Sequence, residues 1–369
     1  MSSTKWKHKG HELDRIGNDL AADNIQYVII GDENDNRVFL DEVKGNIKNA
    51  LSYVSLPEEK LLKGKKIICN YKSRKKYVLI LESAIRLGYK EGIDFFQGEV
   101  FLAIWHLYVE KKLYIDRIEI ILTSACTLRC EKCIAFIPYF KSSKIAELNQ
   151  LIKDADLLFS RVDYVRKLKL LGGDGFLYPH IIEYIEYLSN NYRDRIGEIR
   201  IGTNGTIIPN KNLLNICRSE NIIVDVSDYR NAVPEKSKID ELIRLFEISR
   251  VKYDIKRTGE QWLDIGFPNS NFTIKEEDVE EHFHKCAMFC RNFMDGKLYF
   301  CCSNCAAVYA GMFPSNENDY CDFKCSVSKK EILEFELGYS ELGHTTFCNV
   351  CQGCSEEANP NKVEVAKQL

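Results

Sequence analysis

Three cysteines in one short stretch have the residue type and spacing of metal ligands. Cys126, Cys130 and Cys133 lie in the run Cys-Thr-Leu-Arg-Cys-Glu-Lys-Cys, directly after an apolar run at 118–122. Three thiolates on one loop can hold three irons of a [4Fe–4S] cluster, because cysteine thiolates are the usual ligands of such clusters. The fourth iron then has no protein ligand and is open to a chelating small molecule.

A zinc site is the alternative that this stretch leaves open. Zinc prefers four cysteine or histidine ligands, often supplied as two pairs. The stretch 126–133 has three cysteines and no histidine. The odd number favours an iron–sulfur cluster, and a non-enzymatic, cysteine-rich zinc scaffold is kept as an alternative.

The composition is that of a large globular protein with metal-binding cysteines. The chain of 369 residues is long enough for two or three domains, with 45% hydrophobic and 28% charged residues. A net charge of −3 does not favour a nucleic-acid partner. We recognise no signal peptide and no membrane-spanning run, so we expect a cytoplasmic protein with no membrane partner. In a reducing compartment, fifteen cysteines indicate metal ligands rather than disulfides.

The first part of the chain has the pattern of a small α/β domain. A polar start at 1–24 is expected to be loosely ordered, and buried strands are predicted at Tyr27–Ile30 and Lys66–Cys69. Helical periodicity predicts helices at 43–53 and 77–87. Since no Gly-x-Gly-x-x-Gly follows the first strand, we expect no bound dinucleotide. Residues 1–112 are therefore predicted to form an N-terminal Rossmann-like domain with a structural or docking role.

A second set of strands and amphipathic helices begins just before the cysteine stretch. Strands that alternate with helices require a parallel sheet with right-handed crossovers. The helices separating these strands have apolar residues on one face. The predicted strands are 118–122, 168–171, 198–201, 222–226 and 251–255.

The cysteine stretch and the motifs after it resemble the radical S-adenosylmethionine (SAM) superfamily. The resemblance implies a partial (β/α)6 radical SAM barrel at 113–280, with active-site residues at the C-terminal ends of the strands. It implies that the free iron binds SAM, and that the reduced cluster cleaves SAM to a 5′-deoxyadenosyl radical. This radical would abstract hydrogen from a substrate C–H bond, and a reductant protein such as flavodoxin or ferredoxin is then a partner. Lys132 departs from the family, which often has an aromatic residue before the third cysteine.

The same resemblance assigns roles to residues that follow three later strands. The Gly-Gly-Asp run at 172–174 resembles the family's Gly-Gly-Glu segment, which holds the amino group of SAM, although Gly175 replaces the usual proline. Polar residues after the next two strands are placed at the ribose or carboxylate of SAM, or at the substrate. The predicted cofactor-binding residues are Gly172, Gly173, Asp174, Thr203, Asn204 and Ser227, and Asp228 and Tyr229 are predicted to be catalytic.

Ten of the fifteen cysteines lie between Cys286 and Cys354. Their spacing, Cys-x9-Gly-x4-Cys followed by Cys-x2-Cys, resembles the twitch domain, a shorter relative of the SPASM domain. The resemblance implies an auxiliary [4Fe–4S] cluster in a C-terminal domain at 281–369, with a hairpin at 293–300. One or two auxiliary clusters, or zinc, stay open. The predicted ligands are Cys286, Cys301, Cys348 and Cys351, with Cys290, Cys302 and Cys354 as competitors, and Cys302 is also predicted to donate hydrogen to a substrate radical.

These features predict a radical SAM oxidoreductase or epimerase. The N-terminal unit resembles domains of sugar-modifying and polysaccharide proteins, so we expect a small sugar, aminosugar or sugar-nucleotide substrate. A radical SAM maturase that modifies a peptide is the first alternative, although we recognise no leader-binding winged helix. An activating enzyme or iron–sulfur maturase is another, although paired ferredoxin-like cysteines are not clear.

Overall fold

The computed structural model describes residues 11–22, 25–43, 47, 50–71, 73–257, 259, 261–286, 290–339, 342–356 and 358–369. Its helices are α1 (His11–Leu20), α2 (Glu33–Glu42), α3 (Glu59–Leu62), α4 (Arg74–Arg86), α5 (Gly98–Tyr108), α6 (Leu148–Arg161), α7 (Ile181–Tyr192), α8 (Lys211–Ser219), α9 (Ile239–Ser249), α10 (Glu276–Lys285), α11 (Cys302–Ala310) and α12 (Lys329–Glu336). Its strands are β1 (Tyr27–Ile30), β2 (Leu51–Tyr53), β3 (Lys66–Cys69), β4 (Phe95–Gln97), β5 (Tyr114–Thr123), β6 (Tyr164–Gly172), β7 (Ile196–Thr203), β8 (Ile223–Asp228), β9 (Lys252–Arg257), β10 (Gln261–Leu263), β11 (Arg291–Met294), β12 (Lys297–Tyr299), β13 (Tyr320–Asp322) and β14 (Lys362–Glu364).

The chain divides into two compact units. The smaller unit contains Met1–Tyr114 and Ser328–Gly343, and the larger contains Ile115–Val327 and His344–Leu369. No sequence signal indicated that 328–343, which includes α12, belongs with the smaller unit. The division of the chain into domains at 1–112, 113–280 and 281–369 stays a prediction. Among the described residues, no helix is long and apolar enough to cross a membrane.

The smaller unit is built on a four-stranded parallel sheet in the order β2-β1-β3-β4. The predicted strands β1 and β3 pair with each other and are almost entirely buried, as expected for short apolar runs between helices. The helix predicted at 77–87 is α4, which begins with the hydroxyl of Ser73 accepting the Lys76 N–H.

Two predictions for this unit need correction. The polar start is not loosely ordered throughout, because α1 forms at His11–Leu20 and buries Leu13 and Ile16. The helix predicted at 43–53 is wrong where that stretch is described, since Val43 caps α2 and Leu51–Tyr53 is a strand. Its residues 44–46, 48 and 49 lie outside the described part. The real helix, α2, was overlooked because it buries a polar residue, Asn36, beside Phe39 instead of an apolar stripe.

The larger unit is organised by an eight-stranded sheet in the order β13-β12-β11-β5-β6-β7-β8-β9. All five strands predicted for this region are present as β5 to β9, and β6 to β9 pair in parallel. The α/β class and the parallel sheet are therefore confirmed. The number of β/α units in the barrel stays a prediction.

The cysteine-rich region continues the same sheet. The predicted hairpin is formed by β11 and β12, joined at Asp295-Gly296, where both residues have positive φ (53° and 76°). Positive φ at both central positions is the geometry of a tight hairpin turn, which Asp-Gly suits well. Because β11 pairs in parallel with β5, the strand that precedes the cysteine loop, the hairpin lies beside that loop's strand.

Candidate functional site

The loop 126–133 follows the C-terminal end of β5 and presents three thiols that receive N–H donors. Cys126 Sγ accepts the Leu128 N–H and the Asn204 side-chain amide, both at 3.4 Å. Cys130 Sγ accepts the Gln368 amide at 3.3 Å, and Cys133 accepts backbone N–H groups just after it. Burial raises the pKa of Cys126 to about 11 and also raises the pKa of Cys130 and Cys133. Buried thiols of this kind become thiolates when a bound metal supplies positive charge.

The spacing of the three sulfurs is wider than in a tetrahedral zinc site. Ligand sulfurs 2.3 Å from a tetrahedral zinc lie roughly 3.8 Å from one another. Within the described part of the chain, the loop sulfurs do not form a group whose members all lie within 4.8 Å. The donor set and its spacing therefore fit a larger thiolate-bound group, such as an iron–sulfur cluster, better than a single zinc ion.

The glycines at 172 and 173 hold the start of the cysteine loop. The Gly173 N–H donates to the Thr123 carbonyl and the Asp174 N–H to the Ala125 carbonyl, each at 2.8 Å. A Cβ at Gly173 would overlap the Ala125 carbonyl and lie 2.7 Å from the Cβ of Cys126. Glycine is therefore needed here for the close approach of β6 to the loop, and this contact accounts for it whether or not a ligand approaches.

Asp174 is placed differently from the expectation that it faces an ammonium group. It is 1% exposed, and its carboxylate accepts the Thr203 hydroxyl and the Asn204 N–H, both at 2.9 Å, and the Phe176 N–H at 3.0 Å. Burial raises its pKa despite these donors. Its oxygens are used to fasten the end of β6 to the end of β7, and a contact of Asp174 with SAM stays a prediction.

Asn204 and Thr203 are brought beside the cysteine loop. Besides its bond to Cys126, the Asn204 amide donates to the Thr127 hydroxyl at 3.2 Å, and its carbonyl accepts from Thr206. Both Asn204 and Thr203 are buried. The structure thus gives these predicted SAM contacts a definite role in supporting the loop.

The residues at the end of β8 have partners of their own. Asp228 binds the Arg230 guanidinium through both carboxylate oxygens, at 3.0 and 2.7 Å, so it is not a free base as folded. Tyr229, which interacts with the hydroxyl of Ser227, packs edge-on against Trp262 at 5.6 Å and lies near the loop thiols. Burial raises its pKa to about 12. Tyr229 is therefore placed at the loop, whereas Asp228 is engaged by an arginine.

A cavity of about 140 Å³ lies beside the loop, between β5, β6 and α11. Its wall includes Thr123 and Gly172 at the strand ends and Cys302 and Tyr309 on α11. The buried polar groups in the wall include Glu119 of β5 and its register partner Asn292 of β11. Glu119 was not predicted from the sequence, although a charged residue inside the apolar run 118–122 was a signal that it faces something polar.

The predicted auxiliary ligands come together in the larger unit. The Cys301 thiol interacts electrostatically with those of Cys286 and Cys348, and the Cys351 thiol interacts with all three. Cys301 stands at the N-terminus of α11, where the N–H groups of residues 303 and 304 point to its sulfur. Burial raises the pKa of Cys348 to about 12. Four clustered thiols in a buried setting fit a second thiolate-bound metal group.

The three cysteines that compete as auxiliary ligands, Cys290, Cys302 and Cys354, are placed in two different ways. Cys354 stays near this group, because its N–H donates to Cys286 Sγ at 3.4 Å. Cys290 and Cys302 are instead joined by a disulfide, with a Glu119 oxygen within 4.8 Å of both sulfurs. The expectation of metal ligands rather than disulfides is thus not met at this pair. Cys302 lines the cavity, and its role as a hydrogen donor stays a prediction.

Sequence reasoning missed the residues that brace the loop from other parts of the chain. Lys132, noted as a departure from the family, forms an ion pair with Asp264 at 2.9 Å. Gln368 reaches Cys130 from a distant segment, and nothing in its sequence context indicated this contact. Trp262 packs against Tyr229, and Asp264 is the partner of Lys132, so both residues also lie close to the loop.

No family model and no curated protein matches the chain. Among solved structures, it is similar to native anSMEcpe with bound AdoMet and the Cp18Cys peptide, at 13% identity over 68% of this chain and 92% of that one, with a TM-score of 0.43. It is also similar to BtrN in complex with AdoMet and 2-DOIA, at 14% identity over 68% and 98%, with a TM-score of 0.39. A third is Streptococcus suis SuiB bound to the precursor peptide SuiA, at 11% identity over 90% and 88%, with a TM-score of 0.32.

These three proteins are radical SAM enzymes, the family that the cysteine stretch resembles. Similarity at this level does not by itself assign a cofactor or a substrate to this chain.

Proposed function

We propose that the chain is a radical SAM enzyme with two cysteine-bound iron–sulfur clusters. Cys126, Cys130 and Cys133 would hold the cluster that binds SAM, and the group around Cys301 would hold an auxiliary [4Fe–4S] cluster. The observation that carries the proposal is the set of three buried or half-buried loop thiols, each receiving N–H donors, on a loop whose following residues, Ile134 and Ala135, line the cavity. When bound and reduced, the first cluster with SAM supplies a 5′-deoxyadenosyl radical.

The loop residues and their supports would orient the cofactor at the strand ends. Gly172 lines the cavity, and Gly173 lies against the Cβ of Cys126, so the backbone there leaves the approach to the loop free of side chains. Thr203, Asn204 and Ser227 are near the loop or next to Tyr229, as the SAM contacts must be. A reductant protein of the flavodoxin or ferredoxin class would deliver the electron.

A few buried polar side chains in an otherwise largely apolar cavity wall support a small substrate that carries hydroxyl or amino groups. Asn292 is 2% exposed, and within the part of the chain that the structure describes its Oδ1 has no hydrogen-bond partner. Glu119, opposite it in register, adds a carboxylate that Arg117 already contacts. Two acceptors facing a buried cavity favour a ligand that brings donors, because an unpaired buried acceptor is costly. A sugar, aminosugar or sugar nucleotide has such donors.

Dehydrogenation is the outcome that the position of the second cysteine group supports. An epimerase must return a hydrogen atom to the substrate carbon, and Cys302, at the wall, remains the predicted donor for that outcome. Dehydrogenation instead needs an acceptor for one electron. The second cysteine group is suitably near, because Cys301 directly precedes α11, whose residues line the cavity.

The test is anaerobic reconstitution followed by incubation with SAM, a reductant and deuterated candidate substrates. About eight irons and eight sulfides per chain are expected for two clusters. Deuterium should enter 5′-deoxyadenosine from a sugar or aminosugar and not from peptides. Zinc in place of iron would refute the whole proposal, and transfer from a peptide alone would refute the substrate class.

A matched pair of variants examines the cavity wall. For the substrate that transfers deuterium, Asn292→Leu should raise KM about tenfold, the value of one hydrogen bond of roughly 1.4 kcal/mol. Asn292→Asp, which keeps an acceptor oxygen, should raise KM less. Equal KM values in all three proteins would show that Asn292 does not contact the substrate.

A further inference from the structure

The segment 362–369 lies against the cysteine loop, although it is distant in the sequence. It enters as β14, which pairs with β10 in an antiparallel ribbon. The chain then buries Val365 and Ala366, at 4% and 0% exposure, in an apolar cluster with Leu128 and Cys130. The loop is thus covered on this side by a second piece of chain.

Backbone bonds fix the register of the segment on the loop. The Glu131 N–H donates to the Lys367 carbonyl at 2.8 Å, and the Leu369 N–H donates to the Arg129 carbonyl at 3.0 Å. A salt bridge of 2.9 Å also joins Lys367 to Glu131. These bonds place the intervening side chain, Gln368, directly at the loop.

The Gln368 amide has one orientation that satisfies its neighbours. Its Oε1 accepts the Arg129 N–H at 3.0 Å. Its Nε2 donates to the Ala366 carbonyl at 2.6 Å and to Cys130 Sγ at 3.3 Å. A flipped amide would set its oxygen against a carbonyl and a sulfur, and its NH2 group against an N–H. Two partners, the Arg129 N–H and the Ala366 carbonyl, therefore direct the donor at the sulfur.

We propose that Gln368 is a positioning residue that tunes the reduction potential of the cluster held by Cys130, and this inference rests on the proposed function. Reduction adds negative charge to the cluster and its thiolates, and a hydrogen bond to a ligand sulfur stabilises that charge. The bond from Gln368 thus makes the cluster easier to reduce. The segment 362–369 thus holds the side-chain amide nitrogen of Gln368 against the Cys130 sulfur.

The experiment compares three substitutions in the reconstituted full chain by an anaerobic redox titration followed by electron paramagnetic resonance. Gln368→Met keeps the size of the side chain and removes the donor, so the midpoint potential should fall. Gln368→Glu replaces the donor with a negative charge, so the fall should be larger. Lys367→Met removes the exposed salt bridge but keeps the backbone bonds, and its shift should be smaller than either.

The outcomes separate a tuning role from a structural one. Iron content should be the same in all four proteins, because the three cysteine ligands are intact. An unchanged potential in Gln368→Met, a shift no larger than that of Lys367→Met, or a loss of iron in Gln368→Met would each overturn the inference. Failure of the proposed function would be recognised by a different result. In that case Cys126→Ala would bind as much iron as the unsubstituted chain.

Discussion

The two cysteine groups of the larger unit are built in opposite ways. Cys126, Cys130 and Cys133 lie on one continuous loop, whereas Cys286, Cys301, Cys348 and Cys351 come from well-separated parts of the chain. In the loop, sequence spacing sets the distances, and the rest of the fold only braces it through β6, β7 and the segment 362–369. In the second group, packing brings together three separate segments, one of which supplies the closely spaced pair Cys348 and Cys351.

This difference indicates which contacts each cysteine group depends on, and therefore which substitutions should disrupt it. The loop depends on close backbone approach, as at Gly173, and on single donors such as Gln368. The second group depends on apolar packing around Phe347 and Cys351, in a cluster that also includes Phe136 of the loop region. Both groups are in one unit and share the packing at Phe136, but their thiols come from different residues, so the ligands of each group can be removed separately.

The largest effect is expected from Cys126→Ala. Without one of its three protein ligands, the loop should lose its cluster, which is about half of the iron in the chain. SAM cleavage should fall to background, measured as 5′-deoxyadenosine formed with a chemical reductant. Cys217→Ala, at a buried thiol in α8 far from either group in sequence, is the control and should keep its iron. Full iron content in Cys126→Ala would mean that the loop holds no cluster.

Cys301→Ala should have the next largest effect and should sharpen the contrast between the groups. It removes a ligand of the second group, so again about half of the iron should be lost. SAM cleavage should persist, because the three loop cysteines are untouched, while turnover of the substrate stops. Loss of SAM cleavage here would show that the two groups are not independent.

Gly173→Ala tests whether the first group depends on close backbone approach. The added methyl group would meet the Ala125 carbonyl and Cys126, so we expect a loss of about 1–3 kcal/mol in the free energy of unfolding. Iron retained by the loop should also fall. The control is Gly259→Ala, where the nearest atom outside its neighbours is 4.0 Å away. Denaturant unfolding of the two variants gives the comparison, and equal stabilities would contradict the expected close contact.

Lys132→Met should have the smallest effect. The ion pair with Asp264 is partly exposed, with side-chain exposures of 25% and 19%, so its loss should change the free energy of unfolding by less than about 1 kcal/mol. Iron content should not change, because the lysine binds no metal ligand. A clear loss of iron would assign Lys132 a larger part in bracing the loop than its geometry indicates.

Local patterns in the sequence were sufficient to predict most strands of the larger unit. Apolar runs rich in Ile, Leu and Val predicted β5 to β9, and Asp295-Gly296 predicted the hairpin, because strand burial and turn conformation are local properties. The error at 43–53 arose where the apolar spacing suited a helix while the chain paired Leu51–Tyr53 with β1. Pairing with a distant strand overrides local periodicity.

The sequence by itself determined that three thiols lie on one loop after a strand, because the covalent chain sets the number of residues between them. It also supplied the donors and acceptors, but not their assignment to partners. Only the tertiary structure decided that Asp174 fastens two strand ends, that Cys302 pairs with Cys290, and that Gln368 reaches Cys130. Such contacts join residues far apart in the chain, and their geometry is set by the packing of the whole unit.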